Sequence, residues 1–286
     1  NGAEGVVING QQAVVGGGVA GYGNLISGNS LEGVRVTGIG NLLQGNYIGT
    51  TLTGNSKLPN GGTSGVYIQN GFSNLVGVLD DGVNDASEGN LISGSAKYGV
   101  RLEGGGQTRL AGNRIGTNAA GTSALSNDLG GVLLASGSEN WIGTDADGVS
   151  DALERNLISG NTGPGVSTNG GVVERTIIAG NFIGTDVNGT VALANAGAGI
   201  EFADNSKLSR IGGGLSADRN VVSGNTGIGI SITGANSGQN WIAGNLVGTD
   251  LTGSSRLANG AQGIAIFGAF QNTIGTNGEG INDSSE

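Results

Sequence analysis

The hexad Asn-Leu-Ile-Ser-Gly-Asn that begins at Asn24 returns as NLISGS at Asn90, NLISGN at Asn156 and NVVSGN at Asn220, at spacings of 66, 66 and 64 residues. A second phrase keeps the same phase. GNYIGT at Gly45, GNRIGT at Gly112, GNFIGT at Gly180 and GNLVGT at Gly244 advance by 67, 68 and 64. Self-similarity at a fixed period marks a chain that stacks copies of one unit, each contacting only its neighbours. The long repeats run 24–89, 90–155, 156–219 and 220–286, after a partial repeat at 1–23.

Inside the first long repeat the short phrase recurs as NLIS at Asn24, NLLQ at Asn41 and NLVG at Asn74, which reads as three coils per repeat. Its third position is always aliphatic, whereas its second accepts Arg109, Trp141, Arg210, Trp241 and Thr273. The third position therefore faces in and the second out. Segments such as GVRV at Gly33, GVYI at Gly65 and GISI at Gly227 alternate with period two, the pattern of short strands with one buried face. This places Ile26, Val34, Val36, Leu43, Ile48, Val66, Ile68 and Val76 inside. No apolar period of 3.6 residues is sustained, so helix content is expected to be small.

With 62 Gly but only 2 Pro and no three-residue period, the chain is not collagen, and 36% hydrophobic residues is too many for a disordered glycine linker. Glycine and asparagine instead take tight, often left-handed corners. Asparagines at 24, 41, 74, 90, 156, 220, 240 and 272 are expected to form hydrogen-bonded ladders from coil to coil. One coil or so before Asn24 and three per repeat predict about 13 coils, a rod of roughly 60 Å at about 4.8 Å per coil. The middle coil of each repeat carries an insertion (TLTGNSKLPN, NAAGTSALSN, DVNGTVALAN, DLTGSSRLAN), with Leu58, Leu125, Leu193 and Leu257 in register and expected to pin it down.

The NxIxGN phrase followed by GVxI closely resembles the right-handed parallel β-helix repeat proteins of the pectate-lyase-like superfamily, over essentially the whole chain. More narrowly, GNxIGTD, ALxN and DGVSDALERNLISGN from Asp147 resemble modules of large bacterial extracellular and cell-surface proteins. The resemblance implies an all-β, single-stranded right-handed parallel β-helix over 1–286 as one domain, in a secreted or cell-surface protein. It also raises carbohydrate chemistry, since many members of that superfamily are polysaccharide lyases, hydrolases or epimerases acting along one face.

The residues offer such chemistry little. Cys 0 and His 0 remove thiol and imidazole catalysis together with both as metal ligands. A glycosidase needs two carboxyls about 5 to 9.5 Å apart. The outward strand positions read Arg35, Tyr67, Arg101, Leu133, Ser167, Glu201, Ser231 and Ala265. On a three-coil repeat Arg35 and Arg101 lie roughly 14 Å apart, and Glu201 has no acidic neighbour. The expectation is a non-catalytic stalk, adhesin or assembly scaffold. The alternative is a carbohydrate-active β-helix or a tailspike-like glycan-binding module, with Trp141 and Trp241 as the aromatic side chains that a sugar ring would stack on. Threonines of the GT pairs (Thr50, Thr117, Thr185, Thr249) are too far apart for an ice-binding lattice, and no phosphate-loop motif is present.

A net charge of −10 repels nucleic acid and anionic lipid, and no apolar run approaches the roughly 18 residues of a membrane helix. Neither nucleic-acid binding nor membrane insertion is expected. With no Met and a start at Asn1, the chain reads as a piece of a longer protein. An open coil then calls for flanking sequence, a partner domain or end-to-end self-association, with lateral self-association and a glycan as the other partners to test.

Half of the 22 acids gather in three short loops: Asp80, Asp81, Asp85 and Glu88; Asp145, Asp147, Asp151 and Glu154; Glu279, Asp283 and Glu286. These loops share a form, DDGVND, DADGVSD and NGEGIND, in which a glycine turn gathers side-chain oxygens around one point, as calcium loops do. Crowded carboxylates repel unless a cation joins them. Calcium is the cofactor to test, with Asp80, Asp81, Asp85, Asp145, Asp147, Asp151, Glu279 and Asp283 as its ligands. The competing reading is plain solubilising turns: no loop completes an EF-hand pattern, and the third repeat (GGGLSADRN) lacks the cluster.

Overall fold

Strands of two to six residues separated by Gly and Asn corners are too short to form hairpins of any strength, so each finds its neighbour one coil later. The computed structural model describes residues 1–275. Three long sheets, all parallel, run through it with nine, nine and eight strands. Sheet I holds the GVxI strands, from Val6–Ile8 to Ile264–Phe267; sheet II runs from Val14–Gly16 to Thr273–Ile274; sheet III runs from Leu25–Ile26 to Leu246–Val247. A three-stranded sheet at Gly137–Ser138, Val173–Glu174 and Ser206–Lys207 widens one corner. Among the described residues helix is confined to single turns at Asp85–Ser87 and Asp151–Glu154. This is a parallel β-helix.

Its coils are longer and fewer than the sequence predicts. Val6 pairs with Val34, and Val132 with Val166, so one coil takes 28 to 34 residues and visits all three sheets. Among the described residues sheet I counts nine coils, roughly 40 Å of stack, and each long repeat spans two coils rather than three. The miscount has a structural cause. The Asn-aliphatic phrase stands at two corners of every coil, so NLLQ opens a strand of sheet II while NLIS opens one of sheet III. In sheet III the NLIS and GNxIGT series alternate, Ile26 pairing with Ile48 and Ile48 with Ile92.

The alternation itself holds. Ile26, Val34, Val36, Leu43, Ile48, Val66, Ile68 and Val76 are all buried and belong to one core that continues through Ile242. Three polar columns line its corners. In the longest, Asn24, Asn46, Asn90, Asn113, Asn156, Asn181, Asn220 and Asn245 each donate to the Oδ1 of the next. A second runs from Asn127 through Asn161, Asn195 and Asn225 to Asn259. The third links Asn41 to Asn74 and, farther along, Asn240 to Asn272, with Thr108, Thr176 and Ser209 taking asparagine positions between.

The insertions leave alternate coils and stack directly on one another: the N–H groups of Ala119, Val187 and Leu251 donate to the carbonyls of Gly54, Gly121 and Gly189. They lie over the outer face of sheet III and bury Leu157, Phe182 and Val221 as a second small core. Leucine is a weaker pin than the sequence suggests, since Leu125 is buried but Leu58 is exposed. It is the backbone that ties each loop down, as where the N–H of Leu58 donates to the Gly49 carbonyl.

Candidate functional site

On the outer face of sheet II, Leu75, Arg109 and Trp141 occupy one column on successive coils. The first and third of these coils leave the sheet into long acidic loops. Their exits are Gly77 and Gly143, at φ 110° and 109°; a Cβ at Gly143 would lie 1.8 Å from the Ala179 carbonyl oxygen, so only glycine fits. The coil between has no such loop and turns at Gly112 straight into Arg114–Ile115. Loops 78–88 and 144–154 therefore face each other across the gap that it leaves.

Arg109 fills that gap. Its Nη2 lies 3.6 Å from Asp80 Oδ2 and 3.2 Å from Asp145 Oδ2, and it pairs with Glu154. The hydroxyl of Ser150 donates to Asp85 Oδ2, a second tie between the loops. Each loop is also closed on itself by an acid two residues before a ladder asparagine. Glu88 accepts from the Leu79 N–H at 2.7 Å, Glu154 from Asp145 at 3.1 Å, and in the third repeat Asp218 from Leu215 at 3.2 Å. Asp218 in turn pairs with Arg210 at 2.9 Å, so the repeat without an acidic cluster keeps the clasp in miniature.

Of the predicted cation ligands, Asp80 and Asp145 come together with Glu154, and Asp145, Asp147 and Asp151 form a second group; within each group the carboxylate oxygens lie within 4.8 Å of one another. Asp81 and Asp85 are turned to the backbone instead, accepting from the N–H groups of Val83 at 2.8 Å and Gly82 at 3.2 Å. Glu279 and Asp283 lie outside the described residues. Burial pushes the Asp80 carboxyl up to about 6, with Asp145 and Asp147 adding to it and Arg109 opposing. Burial, with the charge of Asp85, raises Glu88 as well. Nothing in the local sequence singles out Arg109, because its acidic partners stand 29 to 45 positions away and arrive from both adjacent coils.

Outward positions on sheet I also sit closer than predicted. Arg35, Tyr67 and Arg101 are on consecutive coils, two coil steps from first to last, roughly 10 Å. The guanidiniums lie 5.9 and 5.1 Å from the Tyr67 ring centroid. Glu103 accepts from the Tyr67 hydroxyl and pairs with Arg101 at 2.7 Å, while Arg35 reaches Gln69 at 2.6 Å and Glu4 at 3.3 Å. Burial and the Glu103 carboxylate push the Tyr67 phenol up to about 12. On sheet II, Trp141 floors a groove of about 400 Å³ between Gln107, Glu139 and Arg175 on one side and Asp145 on the other. Its Nε1 donates to the Thr144 carbonyl at 2.7 Å, which fixes the ring. Trp241, three coils on, does the same with Gly275.

No protein-family model matches this chain, and no curated protein matches it.

Proposed function

We propose that the chain is a non-catalytic structural segment of the pectate-lyase-like kind, a stiff β-solenoid that serves as stalk, adhesin or assembly scaffold of a secreted or cell-surface bacterial protein. The observation that supports this reading is that the polar groups of the coils engage one another: asparagine columns tie coil to coil, and Arg35, Arg101, Arg109 and Arg210 pair with acids of the same chain. Among the described residues no helix is long and apolar enough to cross a membrane. Incubation with pectate, alginate and related polymers is expected to give no turnover. Turnover abolished by Glu201→Gln or Arg101→Ala overturns the reading.

A glycan-binding reading draws on the Trp141 groove, where an aromatic floor is rimmed by charged and amide side chains. It predicts that Trp141→Ala removes binding to an immobilised glycan that the unaltered chain retains. Calcium draws on Asp145, Asp147 and Asp151, since in the neighbouring group Arg109 already supplies the positive charge. Extracellular calcium modules bind at about 10⁻⁴ to 10⁻³ M, so millimolar calcium would stabilise the fold by on the order of 1 kcal/mol. The melting temperature then rises with calcium and falls with chelator, and Asp147→Ala weakens the response. A melting curve indifferent to calcium leaves these loops as acidic turns.

A further inference from the structure

Arg114 stands on the coil that lacks an acidic loop, in register with Leu91 and Leu157 on the outer face of sheet III. The loops of the coils on either side roof it over. Between them is a pocket of about 210 Å³, lined by Asp85, Arg114, Arg155, Leu157, Phe182 and Val187 among others. That is several times the roughly 30 Å³ that a water molecule occupies in the liquid. Arg155 enters the same pocket, its Nε donating to the Gly180 carbonyl at 2.8 Å and its guanidinium 4.3 Å from the Phe182 ring centroid.

Neither arginine is paired with a carboxylate among the described residues, although the chain carries a net charge of −10 and pairs five other arginines with its own acids. Among the described residues the Arg114 guanidinium has no hydrogen-bond partner, and its Nε is buried. Burial lowers the Arg155 guanidinium from its ordinary range, as it does for a cation stripped of water without a counter-ion. Two guanidiniums line one cavity, and an anion that reaches both supplies the counter-charge that neither has.

We propose that this pocket binds a small monoanionic carboxylate with an apolar body, the carboxylate on Arg114 and Arg155 and the body against Leu157, Phe182 and Val187. A carboxylate matches the guanidinium fork with two parallel hydrogen bonds. Asp85 lines the same pocket, so the pocket's charged side chains sum to +1, which a monoanion neutralises and a dianion exceeds. The pocket shares Asp85, Ala152 and Leu153 with the acidic loops, so it is tested in calcium-free buffer, where its outcome is distinct from those of the scaffold and calcium readings.

Titration calorimetry of the full chain with benzoate, acetate and sulfate, at constant ionic strength in chloride, tests this. Benzoate is expected to bind saturably, and acetate and sulfate more weakly by about tenfold, since acetate lacks the apolar body and sulfate is a dianion. Arg114→Gln is expected to weaken benzoate by about tenfold or more with an unchanged melting profile, and Arg114→Lys, which keeps the charge without the fork, to fall between. Arg256→Gln, on an exposed insertion, is the charge-matched control and leaves binding unchanged. Unsaturable benzoate binding, sulfate tighter than benzoate, or equal losses in Arg114→Gln and Arg256→Gln each overturn the proposal.

Discussion

Asn156 shows what a single residue does in this fold. Its Nδ2 donates to Asn181 Oδ1 at 2.9 Å and to the Leu110 carbonyl at 2.8 Å, and its Oδ1 accepts from both the backbone and the side chain of Asn113. Asn156→Ala strands fully buried partners on the two flanking coils, and each unsatisfied group costs about 1 to 3 kcal/mol. Urea denaturation should therefore register a loss well above that of a surface substitution. Charge behaves oppositely at two acids. Asp80, with a folded value raised from 3.8 to about 6, contributes stability that is complete below pH 3.8 and is lost as the pH rises to about 6. In calcium-free buffer Asp80→Asn should match the unaltered chain at pH 3.8 or below and exceed it in stability at pH 7. Asp186 is also partly desolvated, which acts to raise it, but the N–H groups of Val191 and Thr190 hold it below the ordinary carboxylate range. Its contribution is present above 3.8 and is lost as the pH falls through the folded value, so Asp186→Asn should weaken the fold at pH 7 and progressively less in acid.

At the scale of elements, the insertions make sheet III two-sided. Period-two alternation assigns its second positions to solvent, yet Leu91, Leu157, Phe182 and Val221 are buried because insertions from alternate coils stack into a cover. Phe182→Ala should cost about 3 to 5 kcal/mol, as a core aromatic does, although it points away from the helix interior. A loss below 1 kcal/mol by the same denaturation experiment would place Phe182 in solvent. The acidic loops, like the insertions, skip a coil, and the coil between two acidic loops supplies the filler for the gap, Arg109 on sheet II and Arg114 on sheet III. Local sequence cannot reveal this, because the residues that meet are 29 to 45 positions apart, as from Asp80 to Arg109 and from Arg109 to Glu154.

Across the whole molecule the sheets run unbroken from the first coil to the last, so a defect in one coil is felt by both neighbours. Ile158, fully buried between Ile115 and Ile183, tests this. Ile158→Asp buries an unpaired carboxylate, a penalty of several kcal/mol that should open the stack and lower the melting temperature sharply. Arg101→Ser removes a partly exposed ion pair with Glu103, worth about 1 kcal/mol or less, and should barely move it. Comparable shifts would contradict the assignment of inner and outer faces. The sequence by itself determined that assignment, the β class and the asparagine ladders, because side-chain alternation and corner chemistry are properties of a few consecutive residues. The number of coils, the cover over sheet III and the meeting of Arg109 with acids from two loops were decided by tertiary structure alone. They depend on which copy of a repeated phrase lies above which, and a phrase that fits two corners of the same coil carries no mark of its corner.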